Sequence, residues 1–185
     1  MSPRPRPIAL LAAVALLAAV VACSAPAPDG RYVQTALPDS ASFPPVAQLL
    51  SIRCGSIDCH GMPYRNLRIY GSTGMRWSPS DRPLMPPCDT PDEIAQDYLS
   101  VVGLEPATMS AVASGGDPSM LTMVRKARGT EAHKGGAIWK QGDDSDTCLT
   151  SWLTGAANAA ACDRAITSVL PGGTTNPLER CVVAP

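Results

Sequence analysis

Seven cysteines stand against a single phenylalanine in this chain of 185 residues. A core with so little aromatic bulk needs help from covalent links or from a bound apolar group. Which of these the cysteines supply depends on the compartment. Arg4 and Arg6 form a positive start, and Ile8 to Ala22 is an uncharged run of Ala, Val, Leu and Ile. That is the length of the apolar stretch of an export leader, and it falls short of the roughly 20 residues that span a bilayer. The run closes on Val20-Val21-Ala22-Cys23, small residues ahead of a cysteine at the cleavage position. Export leads to an oxidising compartment, where cysteines pair or carry other groups.

The Val20–Cys23 segment resembles a bacterial lipobox. The resemblance implies that residues 1–22 are a lipoprotein signal peptide and that Cys23 is acylated on its thiol and amine. An ordinary secretory signal is the alternative. Several acyl chains hold a protein to a membrane where one does not. Ser24, and not Asp, follows the cysteine, which favours the outer membrane over the inner one. Residues 23–44, rich in Pro, Ala, Ser and Asp without apolar periodicity, read as a flexible tether. Residues 45–160 read as one domain and 161–185 as a disulfide-tied tail. Loss of Arg4 and Arg6 leaves 13 basic against 16 acidic side chains, a net charge of −3. With no basic stripe, nucleic acid is not an expected partner.

Two of the remaining cysteines carry the chemistry. Cys54-Gly-Ser-Ile-Asp-Cys59-His60 places a histidine directly after the second of two cysteines. The C-x-x-C-H form of this pattern attaches a c-type haem: the thiols add to the vinyl groups and the imidazole ligates iron. Here four residues separate the cysteines, and Gly55 permits the wider spacer to bulge. His133 is the only other histidine, so it is the natural second axial ligand. Cys88, Cys148, Cys162 and Cys181 are then left for two disulfides, with three possible connectivities. The preferred one pairs Cys88 with Cys148 and Cys162 with Cys181. The competing count, three disulfides including Cys54–Cys59, satisfies parity equally.

Four segments read as helices. Pro45–Arg53 carries apolar residues at 46, 49, 50 and 52 and delivers Cys54. Thr90-Pro91-Asp92-Glu93 is a capping box opening a helix with Ile94, Tyr98 and Val101 or Val102 inward. Asp117-Pro118 opens a third, with Met120, Leu121 and Val124 inward and Gly129 as its stop. The last starts near Asp143 or Asp144, whose charges suit its positive end, and carries Leu149, Trp152 and Leu153 up to Gly155. A short helix over 106–113 is also expected. Residues 66–70 alternate like a short strand that lacks a partner, and 75–90 is a proline-rich loop. Phe43 falls in the tether. The fold expected is all-α, with long irregular loops.

Helix, C-x4-C-H, loops and helices, a His-Gly loop and a final amphipathic helix together resemble a class I-type monohaem cytochrome c domain. The resemblance covers roughly residues 45–160, and the x4 spacing departs from the family pattern. It implies one covalent haem c, crossing terminal helices with Trp152 at the crossing, and envelope redox proteins as partners. It implies His60 as proximal ligand. Met85-Pro86 matches the commonest distal pattern but lies only 25 residues after His60. Met109, Met120 and Met123 sit on helices, where Met fills cores. His133, in Glu131-Ala-His133-Lys-Gly135-Gly136 and about ten residues before the last helix, stands where the distal loop belongs. Glu131 is the expected acceptor for its other ring nitrogen. Arg65 and Arg68 are candidates for the haem propionates. Tyr70 and Trp77 either wall the pocket or pack elsewhere, and Asp58 is expected at the surface. The function implied is single-electron transfer. The alternatives are a haem peroxidase or gas-binding protein with an open distal site, and a haem-free, disulfide-stapled lipoprotein. Zinc on Cys54, Cys59 and His60 is a minor one, because adjacent Cys-His suits a tetrahedral site poorly.

Overall fold

The structure is a computed structural model that describes residues 35–80 and 89–168. Six α-helices and one 3-10 turn make up its regular structure, and there is no strand among the described residues. Cys23, Met85, Cys88 and Cys181 lie outside the described residues.

The first helix, α1 (Pro44–Cys54), starts on two prolines, whose missing N–H groups cost nothing in a first turn. Val46, Ala47, Leu49 and Leu50 are all at most 1% exposed. A helix apolar on more than one face is a central helix, and α1 packs against three others.

α2 (Pro91–Val102) begins with the full reciprocal cap. Thr90 Oγ1 accepts from Glu93 N, while Glu93 Oε2 accepts from Thr90 N. Val101 is fully buried, and Ile94 and Tyr98 pack against the core. The buried stripe also includes Glu93 and Asp97, which apolar periodicity does not anticipate. α3 (Pro106–Ala113) buries Met109 and Val112.

The segment after Asp117 differs from the single helix expected. A 3-10 turn, Pro118–Met120, is followed by α4 (Thr122–Ala127). Leu121 between them is extended and buried. The break rotates Met120 outward, 48% exposed, and turns Met123 in. Gly129 follows α4 at φ 73°, the left-handed conformation expected of its stop.

α5 (Asp144–Thr154) is capped by Asp143, whose side chain accepts from Asp146 N. α6 (Ala159–Thr167), capped by Asn158, was not expected. It folds back on α5 and α1, so the packed body runs past residue 160. Cys148 on α5 and Cys162 on α6 are both fully buried and bonded to each other. This overturns the preferred pairing of Cys148 with Cys88 and Cys162 with Cys181. Fourteen residues and one tight connection bring the two helices face to face, so the nearest cysteine is the local one.

The body also begins earlier than expected. Ala36 N donates to Ser110 Oγ, the Tyr98 hydroxyl to Pro38 O, and Trp152 Nε1 to Asp39 O. Phe43, assigned to the tether, is fully buried between Trp152 (ring centroids 4.7 Å) and Tyr98 (5.6 Å). The one phenylalanine is the centre of an aromatic cluster at the start of α1.

Candidate functional site

α1 ends at Cys54, and the chain folds back on itself at once. His60 N donates to Cys54 O (3.0 Å), Cys59 N to Ser56 O (2.9 Å) and Gly61 N to Ser56 O (2.9 Å). The four intervening residues form a closed bump whose two ends are hydrogen-bonded together. Its base is a knot of glycines. A Cβ on Gly61 would lie 2.0 Å from Gly55 O, and one on Gly74 would lie 1.9 Å from the same atom. Only glycine fits where three backbones meet this closely. The bump carries Asp58 and Cys59 into solvent and leaves Cys54 and His60 half-buried.

Both thiols are free, so Cys54 and Cys59 do not form the third disulfide of the alternative count. Burial pushes the Cys54 thiol up to about 12, with the Arg53 charge opposing it only in part.

Residues 66–70 do not form the strand that their alternation suggests; α2 side chains take up their N–H groups instead. Arg68 N donates to Ser100 Oγ (2.9 Å) and Tyr70 N to Asp97 Oδ1 (2.7 Å). Between them Ile69 N donates to His60 O (2.9 Å). This strap presents the Leu67 carbonyl to His60, whose Nδ1–H donates to it at 3.0 Å. Burial lowers the His60 pKa more than that hydrogen bond raises it. A neutral ring with Nδ1 protonated has its lone pair on Nε2, the nitrogen a metal would take.

His133 comes from the loop between α4 and α5 and faces His60. The ring centroids are 6.0 Å apart and the planes 22° from parallel. Its Nδ1–H donates to Gly136 O (3.3 Å), a left-handed glycine allowing the loop to turn back. Glu131, expected in that role, is instead held by Arg125 at 2.9 Å and Lys126 at 3.8 Å. Two cations within reach outcompete one imidazole N–H for a carboxylate.

Both histidines line a cavity of about 490 Å³. Its apolar wall includes Leu50, Leu67, Met123, Ile138, Trp139 and Leu149. Trp139 is 4% exposed, yet its Nε1 donor has no partner. Arg53 reaches the same stretch of chain, with Nη2 donating to Ile138 O (3.0 Å), and its buried Nε is also without a partner. Sequence reasoning missed both residues, since neither belongs to a motif. The expected arginines serve otherwise. Arg65 lines the cavity but its Nε donates to Cys59 O, and Arg68 does not line it. Tyr70 and Trp77 pack edge to face on each other (5.2 Å) and take no part in the wall.

The residues fit a flat apolar group bearing a metal and a carboxylate. The two imidazoles, stacked with centroids 6.0 Å apart, bring two nitrogen donors to one cavity wall. The cavity lies within the usual range for cofactor sites. The orphaned Nε1 donor of Trp139, a residue of the cavity wall, is what an incoming carboxylate would satisfy; Arg53 does not line the cavity. Among the described residues no three or more His, Cys, Asp or Glu converge on a metal-sized space. No protein-family model matches the chain, and no curated protein and no solved structure matches it either.

Proposed function

We propose that this domain carries one covalently attached haem c and transfers single electrons. The observation that carries the reading is the pair of imidazoles facing each other at 6.0 Å, each with Nδ1 engaged by a carbonyl, on the wall of a haem-sized cavity. Cys54 and Cys59 would hold the haem through thioethers, and His60 and His133 would supply the nitrogen ligands of its iron. Trp139, on the cavity wall, would offer its Nε1–H to a propionate. The bound group supplies a one-electron couple, and the protein sets its orientation and potential. Were both imidazoles to ligate the iron, no open position would remain for substrate, which is what distinguishes this reading from a peroxidase or gas-binding protein. Two imidazoles favour a lower potential than His with Met.

The leader and Cys23 support a lipid-anchored protein of the bacterial envelope, on the outer membrane, exchanging electrons with redox proteins there. No helix among the described residues is long and apolar enough to cross a membrane.

The test is an ultraviolet–visible spectrum and a pyridine haemochrome of the protein exported in a host that matures c-type cytochromes. A c-type spectrum that survives acid extraction is expected, and His133→Ala is expected to convert low-spin iron to high-spin. A colourless product with both thiols of Cys54 and Cys59 free for alkylation refutes the reading. It would leave a stapled lipoprotein.

A further inference from the structure

His60 is tied to a buried carboxyl that has no ion-pair partner among the described residues. The strap over residues 66–70 reaches His60 twice, through Leu67 O and through Ile69 N. Its next N–H, on Tyr70, is held by Asp97 Oδ1 at 2.7 Å. Asp97 is fully buried, and its Oδ2 has no partner.

The groups around it sharpen the contrast. Glu93, one turn earlier on α2, is fully buried but paired with Arg76 (2.8 Å) and bonded by Trp77 N. Asp89 accepts from Ser51 Oγ (3.0 Å) and Ser72 N (3.3 Å). The buried polar residues that α1 contributes, Gln48 and Ser51, are uncharged. Asp97 thus feels two carboxyls, and Arg76, the nearby cation among the described residues, is committed to Glu93. Burial first, and then repulsion from Asp89 and Glu93, raises its pKa to about 8, with the Tyr70 hydrogen bond opposing. Such a group changes protonation in the physiological range and responds to any new charge close by.

We propose that Asp97 is a positioning residue for His60, acting through the strap, and that it takes up a proton when the site gains an electron and releases it when the electron leaves. The inference rests on the electron-carrier reading. The electron comes from a one-electron donor protein and goes to an acceptor. The proton comes from water, adds to Oδ2 and returns to water, and no other bond forms or breaks. A site that gains an electron and a proton together keeps its charge, and Asp97 is joined to His60 through the Tyr70 and Ile69 N–H groups of the strap.

The test is a spectroelectrochemical titration of the haem-loaded, full-length protein from about pH 5 to about pH 10, with a pyridine haemochrome recorded on each sample. The midpoint potential of the wild type is expected to fall as pH rises through the Asp97 titration and to level off on either side. Asp97→Asn, nearly the same shape and still an acceptor for Tyr70 N, is expected to be flat over that range. Asp97→Glu is expected to restore the dependence. Asp89→Asn is expected to keep it but shift it to lower pH, since a repelling carboxyl is gone; it decides the matter if Asp97→Asn does not accumulate. A pH-independent wild type, an Asp97→Asn profile matching wild type, or an unmoved Asp89→Asn profile overturns this inference alone. Absence of covalent haem overturns the electron-carrier reading and this inference with it.

Discussion

Arg128 and Asp146 form the one ion pair among the described residues in which both side chains are less than a tenth exposed, at 8% and 3%. Arg128 Nε and Nη2 meet the two carboxylate oxygens at 2.7 and 2.9 Å, a bidentate pair. Asp146 Oδ2 also accepts from Gly142 N (2.8 Å). The pair joins the end of α4 to the first turn of α5, and the loop bearing His133 runs between them. Arg128→Met removes the cation and leaves a buried carboxylate with one backbone donor. Breaking one side of such a pair costs about 3–5 kcal/mol. With a urea m-value of about 2 kcal/mol/M, the unfolding midpoint drops by about 1.5–2.5 M. Asp146→Asn strands the guanidinium and belongs in the same range. The double variant loses the attraction and both desolvation penalties together, so it is expected to be more stable than either single variant. Urea unfolding followed by far-ultraviolet circular dichroism on all four proteins closes the cycle. Single-variant costs below about 1 kcal/mol, or a double variant equal to the sum of the singles, would refute the argument that desolvation governs this pair.

Phe43→Ala should cost about 3–5 kcal/mol, since the ring is fully buried against Trp152 and Tyr98; chemical denaturation checks it, and a tether residue would cost nothing. Replacing Cys148 and Cys162 together by alanine opens a 14-residue loop and should cost about 3 kcal/mol, read as a lower melting temperature that no longer responds to reductant. Burial raises the pKa of Asp89 to about 7 and of Asp97 to about 8. The folded chain therefore binds more protons than the unfolded one from about pH 4 up to these values, and stability falls as pH rises through that window. Urea midpoints near pH 5 and pH 9 should show the loss, and Asp97→Asn should reduce it. Gly74→Ala drives a methyl group into Gly55 O and should reduce the yield of haem-bearing protein, measured as the ratio of Soret to protein absorbance.

Where local chemistry fixes structure, the helices were readable. The Thr90 capping box, Asp143 at the start of α5 and Gly129 after α4 each satisfy end groups that any helix must satisfy. Phe43 was misassigned because proline-rich composition resembles a linker, and only tertiary contact with Trp152 and Tyr98 shows otherwise. The local disulfide follows from α6 folding back on α5, and α6 carries small residues, Ala159 to Ala161, that give a faint apolar pattern. That His60 and His133 approach each other was legible because only two histidines exist. The places of Arg53, Asp97 and Trp139 were not, since they follow from orphaned or substituting hydrogen bonds between segments far apart in sequence.

The four-residue spacer is absorbed without disturbing what lies on either side of it. His60 N returns to Cys54 O, so the residue that must face the cavity leaves the bump beside the helix end where the bump began. Loop closure penalises added length only slowly, about 0.6 kcal/mol for each doubling. The strap then fixes the ring independently of the bump, through Leu67 O and Ile69 N. The orientation of His60 therefore depends on α2 and the glycine knot, and the spacing of the cysteines is free to vary as long as Gly55, Gly61 and Gly74 let the three backbones meet. His133 has no comparable frame. Its loop is mostly exposed and its ring is held by a single 3.3 Å hydrogen bond to its own turn. The two histidines are thus unequally held, His60 by the fold and His133 by a loop whose two ends are pinned by Arg128, Asp146 and the α4 carbonyl of Ala127 that receives Ile138 N and Trp139 N.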